Sequence, residues 1–94
     1  MRDLLAITEF QFTPASGSLR ATGLLGFLRL VLNDALLIDG ITIRITLQGS
    51  LVVSWPEPHR RGTSRRVVRP RDEGARAFLE REILRVLRTR GEVR

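Results

Sequence analysis

The sequence predicts an α+β domain: an antiparallel β-sheet of about four to five strands followed by one C-terminal α-helix. Three observations lead there. Residues 41–47, ITIRITL, alternate apolar and polar side chains without a break, which is the period of a half-buried strand. Gln48-Gly49-Ser50 then turns the chain into a second β-rich run, LVVSW. Residues 73–90 switch to helical spacing between two capping signals. Strands first and a helix last is the order of an α+β domain. The 94 residues, 43% hydrophobic, suit one domain over 1–94, with strands within about 5–69 and the helix at about 73–90.

The elements follow in order. Ile7-Thr8-Glu9-Phe10-Gln11-Phe12 reads as a first strand and Thr13 to Ser18 as a loop. Leu19 to Asn33 fits two templates. Leu24, Phe27, Val31 and Ala35 make a helical stripe, whereas Leu25, Phe27 and Val31 around Arg29 make a two-faced strand; Gly23 and Gly26 weigh mildly against helix. In the clearest strand, Ile41, Ile43, Ile45 and Leu47 form one face, and Thr42, Arg44 and Thr46 the other. Leu51 to Trp55 is its partner, ended by Pro56 and Pro58. Arg65 to Arg69 is a candidate edge strand around Val67 and Val68, stopped by Pro70. Asp72 is the expected N-cap, Glu73 suits the first turn and Gly91 the position past the end. Ala75, Phe78, Leu79, Ile83, Val86 and Leu87 make the helix's apolar face. Phe10, Phe12, Phe27 and Phe78 are expected in the core.

Charge divides the chain. All sixteen basic residues are arginine, and the net charge is +6. Residues 1–58 hold four Arg and five acids, a net of −1, and residues 59–94 hold twelve Arg and five acids, a net of +7. A field of this kind attracts polyanions, and guanidinium forks match phosphates and base edges. The composition argues against other chemistry. There is no cysteine for a disulfide, a thiolate nucleophile or a thiolate metal site, and His59 is the lone histidine. There is no Gly-rich phosphate loop with lysine and no Gly-x-Ser-x-Gly elbow; Asp34 and Asp39 suit turns at strand ends. The expectation is a non-enzyme with no cofactor, no metal and no small-molecule substrate. The start of the chain does not read as a secretory signal, and Leu24 to Leu32, interrupted by Arg29, is too short to span a bilayer, so a cytoplasmic protein without a membrane partner is expected.

Four stretches, ITEFQF, LNDALLIDGITI, GSLVVSWP and RRVVRP, stand in that order along the chain, and together they resemble the septation protein SpoVG family (stage V sporulation protein G). LNDALLIDGITI, residues 32–43, is similar to the family's Leu-Asp-x-x-Phe-Val-Ile-His-Asp-Ile-Arg-Val. GSLVVSWP, residues 49–56, is similar to Gly-Leu-Phe-Val-Ala-Met-Pro, and RRVVRP, residues 65–70, to Arg-Asp-Ile-Ala-His-Pro. ITEFQF resembles the opening Val-Thr-Asp-Val-Arg-Leu strand. The stretches run in order over about residues 7–88. Asp39-Gly40 stands where the family has His-Asp, and Arg66 and Arg69 replace an acid and a histidine, so the chain looks like a divergent member. The resemblance implies a sheet with a C-terminal helix, a dimer formed through strands, and DNA or RNA binding in gene regulation, septation and sporulation.

The candidate nucleic-acid-binding residues are Arg60, Arg61, Arg65, Arg66, Arg69 and Arg71, with the helical stripe Arg81, Arg85 and Arg88. A competing reading is a solvated face, with Arg76 pairing to Glu80 and Glu82 to Arg85. Trp55 is expected in the core, with base stacking as its other use. Leu24 to Leu32 and Leu36 to Ile38 carry more apolar surface than one sheet face and one helix can cover. That excess predicts an interface, read as a homodimer contact formed through strands.

Overall fold

A computed structural model describes residues 5–56 and 68–92 of the chain. Four strands form an antiparallel meander in the order β1 (Ile7–Pro14), β2 (Leu24–Leu32), β3 (Leu36–Ile45), β4 (Leu51–Ser54), with a one-turn helix α1 (Gly17–Arg20) between β1 and β2. Helix α2 (Glu73–Thr89) follows the sheet. Of the ambiguous segment, Leu24–Leu32 is therefore a strand, while Leu19 and Arg20 belong to α1. Leu24, Leu28, Leu30 and Leu32 alternate into the core, and a helix would have scattered them around its axis.

Turn chemistry fixes the β2–β3 register. Asn33 and Asp34 both have positive φ, 52° and 54°, and the Ala35 N–H donates to the Leu32 carbonyl at 2.9 Å. Two left-handed residues closed by this bond match the right-handed twist of a tight hairpin, and Asn and Asp are among the few side chains that tolerate the conformation. Thr8 Oγ1 accepts the Asp34 N–H at 2.9 Å, and Asn33 Oδ1 accepts the Ala6 N–H at 2.8 Å, tying β1 to the turn. So tight a turn lets pairing begin at once, Leu32 against Leu36. This makes β3 longer at its start than the alternation implied.

Within β3 the register slips once. Leu30 pairs with Ile38 and Leu28 with Ile41, so Asp39 and Gly40 together oppose Arg29. Gly40 has φ +89°, a backbone state that suits glycine, and Asp39 Oδ1 accepts the Gly40 N–H at 2.8 Å. Asp34 thus serves a turn as expected, while Asp39 serves a bulge inside a strand. The slip keeps Ile38, Ile41 and Ile43 all facing the helix.

The core lies between the sheet and α2. Ile41, Ile43, Ile83 and Leu87 have no exposed surface, and Leu28, Leu30, Leu32, Ile38, Val53 and Leu79 complete the cluster. Two expectations for this face fail. Ile45 is half-exposed and Leu47 lies wholly in solvent beyond the end of β3, because the strand overruns the covered part of the sheet. Phe27 is exposed on the opposite face of the sheet, whereas Phe10, Phe12 and Phe78 pack against the core. The candidate strand around Val67 lies largely outside the described residues; Val68 and Arg69, which are described, are not in a strand.

Both ends of α2 are as expected. The Ala75 N–H donates to Asp72 Oδ1 at 2.8 Å, satisfying a donor that the helix cannot. Gly91, with φ +75°, ends the helix; its N–H reaches the Arg88 carbonyl at 3.1 Å, and the Glu92 N–H reaches the Leu87 carbonyl at 2.9 Å. Replacing Asp72 with alanine is expected to lower stability by about 1 kcal/mol, with Asp72→Asn retaining most of it. Urea denaturation midpoints check this, and equal midpoints for the alanine variant and the parent would contradict it. Among the described residues no helix is long and apolar enough to cross a membrane.

Candidate nucleic-acid interface

The strongest concentration of charge in the sequence falls on the segment before α2. Arg60, Arg61, Arg65 and Arg66 lie outside the described residues. The other five candidates are described, and all are exposed. Arg69 and Arg71 precede the Asp72 cap. Arg81, Arg85 and Arg88 sit on α2 opposite the line Leu79–Ile83–Leu87 that enters the core. At 100° per residue the three arginines fall within about 60° of one another, and they span about 10 Å of helix axis. The helix thus forms the stripe for the same reason that it packs: one periodicity buries the leucines and isoleucine and turns the arginines outward.

The stripe is not uniform in charge. Arg85 Nη2 donates to Glu82 Oε1 at 2.8 Å, with Nε at 3.3 Å. This hydrogen bond holds the Glu82 carboxyl below its ordinary range, and Glu82 in return raises the guanidinium of Arg85. The contribution of the pair to stability is present above the ordinary carboxylate range and fades as pH falls through the lowered Glu82 value. Arg85 is thus largely answered within the helix. Arg81 lies over the Phe78 ring at 6.0 Å and forms no ion pair among the described residues, although its charge adds to the lowering of Glu82; Arg88 has neither a ring contact nor an ion pair there. Arg81 and Arg88 are the cations that α2 leaves available for an anion.

Other charges on α2 are structural. Arg76 donates to Glu80 at 3.1 Å and to Glu73 at 2.9 Å, and both contacts raise its guanidinium, the Glu80 hydrogen bond most. The Arg76–Glu80 and Glu82–Arg85 pairs of the solvated-face reading are therefore both present. Arg90 reaches back to β1, where Nη1 donates to the Phe10 carbonyl at 3.0 Å and the guanidinium stands 5.1 Å from the Phe10 ring centre. Residues 68–92 hold seven Arg and five acids, a net of +2, so most of the +7 field belongs to the segment outside the described residues.

Trp55 is engaged elsewhere. Its Nε1 donates to Glu80 Oε2 at 3.0 Å, and its indole packs against the core at the end of β4. The bond joins the sheet to α2 and leaves the ring poorly placed to stack on a base.

No protein-family model, curated protein or solved structure matches the chain.

Two arginines stand apart from the sequence-selected set. Arg29 on β2 and Arg44 on β3 project from the face of the sheet turned away from α2, both exposed and without an acidic partner among the described residues. The signal for Arg29 was present in its place between Leu28 and Leu30, since alternation must turn it away from the core. Sheet and helix form two layers, so these two arginines and the α2 stripe lie on opposite sides of the domain and do not make one surface. Among the described residues no group of three or more His, Asp or Glu is placed to hold a metal ion.

Proposed function

We propose that the chain is a small cytoplasmic nucleic-acid-binding regulator, related in role to the septation proteins that its sequence resembles and acting in gene regulation, septation or sporulation. The observation that carries the proposal is the outer face of α2, where Arg81 and Arg88 are exposed and form no ion pair among the described residues, beside the charge-paired Arg85. Arg69 and Arg71 are exposed just before the start of the helix, and Arg60, Arg61, Arg65 and Arg66 precede them in sequence. Arginines on a rigid helix suit the phosphate backbone: they neutralise charge and fix orientation without reading bases. Displaced counterions then make affinity fall steeply with salt.

Fluorescence anisotropy with labelled duplex DNA, single-stranded DNA and RNA, each over a salt series, tests the proposal. The expected result is binding at low salt that weakens on a straight log–log line, with one nucleic-acid type held best. Charge reversal of Arg60, Arg61 and Arg66 is expected to abolish that binding. No binding at low salt by folded protein would overturn the reading.

A further inference from the structure

The sheet overruns α2 at one end, where α1, the start of β2, the end of β3 and the β3–β4 turn meet. The Ile45 N–H donates to the Gly23 carbonyl at 2.8 Å, which ties the corner after α1 to β3. Leu47 stands wholly exposed in the turn, with Leu19 on α1 at 42% and Ile45 on β3 at 39% exposure. The backbone around Leu47 is fixed. The Thr46 N–H reaches the Ser50 carbonyl and the Gly49 N–H reaches the Thr46 carbonyl, both at 2.9 Å, and Thr46 Oγ1 accepts the Ser50 N–H at 3.1 Å. These bonds hold the leucine out in solvent. Arg20 and Arg44 are exposed at the same end, and neither forms an ion pair among the described residues. Residues 10–33 and 40–56 contain no Asp or Glu. Glu9, Asp34 and Asp39 all lie in the half of the sheet nearer the β2–β3 turn.

We propose that this end of the domain docks on the surface of an anionic lipid bilayer. Leu47 and Leu19 enter the boundary between headgroups and acyl chains, Ile45 lies at the rim, and Arg20 and Arg44 take lipid phosphates. Charge and composition together select this occupant. A nucleic acid offers phosphates to the arginines and nothing to three aliphatic side chains. A bilayer interface offers hydrocarbon and anionic phosphate within a depth of about 5–10 Å, which is what an acid-free apolar tip with flanking guanidinium groups can use. The expectation of no membrane partner rested on Leu24 to Leu32 being too short to span a bilayer; docking at the interface needs no spanning segment.

The amount of apolar surface sets the expected strength. Two leucines bury less than a single acyl anchor does, so the contact is weak and reversible, with half-saturation at about 1 mM lipid. Its electrostatic share makes it weaken as salt rises.

Co-sedimentation of the whole chain with two kinds of vesicle is the first measurement: phosphatidylcholine alone, and phosphatidylcholine with about 30% phosphatidylglycerol. Binding to the mixed vesicles and little to the neutral ones is expected. Arginines elsewhere in the chain also attract anionic lipid, so the leucines carry the test. Leu47→Gln is expected to weaken binding about fivefold, and Leu19→Gln with Leu47→Gln about 20-fold. Arg20→Gln with Arg44→Gln is expected to weaken it about tenfold. These four side chains are exposed, and circular dichroism checks that each variant folds. The chain has no cysteine, so Leu47→Cys carrying a solvatochromic dye puts a single probe at the tip, and Glu9→Cys puts one toward the other end of the sheet. On the mixed vesicles the probe at 47 is expected to brighten and shift to the blue, while the probe at 9 keeps its aqueous spectrum. No binding to the mixed vesicles at about 0.05 M salt would overturn the proposal. So would binding undiminished in the folded leucine variants, which would assign the contact to the arginines alone, or a probe at 47 that stays in water on bound protein. Nucleic-acid affinity is expected to be unchanged in the leucine variants, so the lipid contact and the proposed function can fail separately.

Discussion

Replacing Gly26 with valine is expected to cost about 3 kcal/mol or more, a large part of the about 5–14 kcal/mol expected for a chain of this length. Gly26 is the third of the nine residues of β2, inside a strand, where a glycine ordinarily weakens pairing and alanine would stabilise it. Here the sign reverses. A Cβ on Gly26 would sit 2.6 Å from the Thr13 carbonyl oxygen and 2.7 Å from Phe12 Cε1, and it would also meet Phe12 Cζ. One obstacle is backbone, held by β1–β2 pairing, and the other is a ring packed against the core, so neither yields easily. Alanine is expected to destabilise in the same direction by about 1–3 kcal/mol. In a Phe12→Leu background the alanine penalty should shrink but not vanish, since the carbonyl remains. Gly17→Ala is the control: nothing lies within 4 Å of its added Cβ, and a change within about 0.5 kcal/mol is expected. Thermal melts decide the matter, because 3 kcal/mol corresponds to a Tm shift of roughly 12–24 °C in a domain of this size. A Gly26→Ala protein more stable than the parent would contradict this account of the β1–β2 contact.

The double reversal Arg81→Glu, Arg88→Glu is expected to lower affinity for nucleic acid by roughly 100-fold at about 0.1 M salt and to flatten the salt dependence by about 1.8 log units per log unit. Both positions are exposed on the side of α2 away from the core, so circular dichroism and Tm should be almost unchanged. Arg85→Ala serves as an internal comparison. Its guanidinium already answers Glu82, so its removal gives up less free positive charge, and a smaller loss is expected. A double variant that binds as tightly as the parent would remove α2 from the interface and leave the segment around Arg60 to Arg66 as the remaining site.

Much of the fold was legible from residue order. The alternation of Ile41 and Ile43 with Thr42 and Arg44 dictates which face of β3 is buried, and the 3.6-residue spacing of Leu79, Ile83 and Leu87 dictates how α2 docks. Asp72 and Gly91 mark the helix ends through hydrogen bonds that only nearby residues can make. The Arg81–Arg85–Arg88 stripe was visible for the same reason. These features depend on neighbours a few positions apart, and the sequence states such neighbours directly.

Contacts between distant residues could not be read this way. Leu19 to Asn33 has apolar residues at both helical and strand spacings, and only pairing with β1 and β3 makes part of it a strand. Ile45 and Leu47 continue the apolar alternation of β3, yet the helix does not cover them, because cover depends on where α2 docks. Phe27 is hydrophobic by type and exposed by register, on a face that no second layer covers among the described residues. The division of the arginines has the same origin. Sequence determined that the chain is arginine-rich, that the last third is basic, and that one helix face carries a row of cations. Only the tertiary structure decided that Arg85 is answered by Glu82, that Arg90 holds β1, and that Arg29 and Arg44 stand on the side away from the stripe, because these outcomes depend on distances between groups brought together by packing.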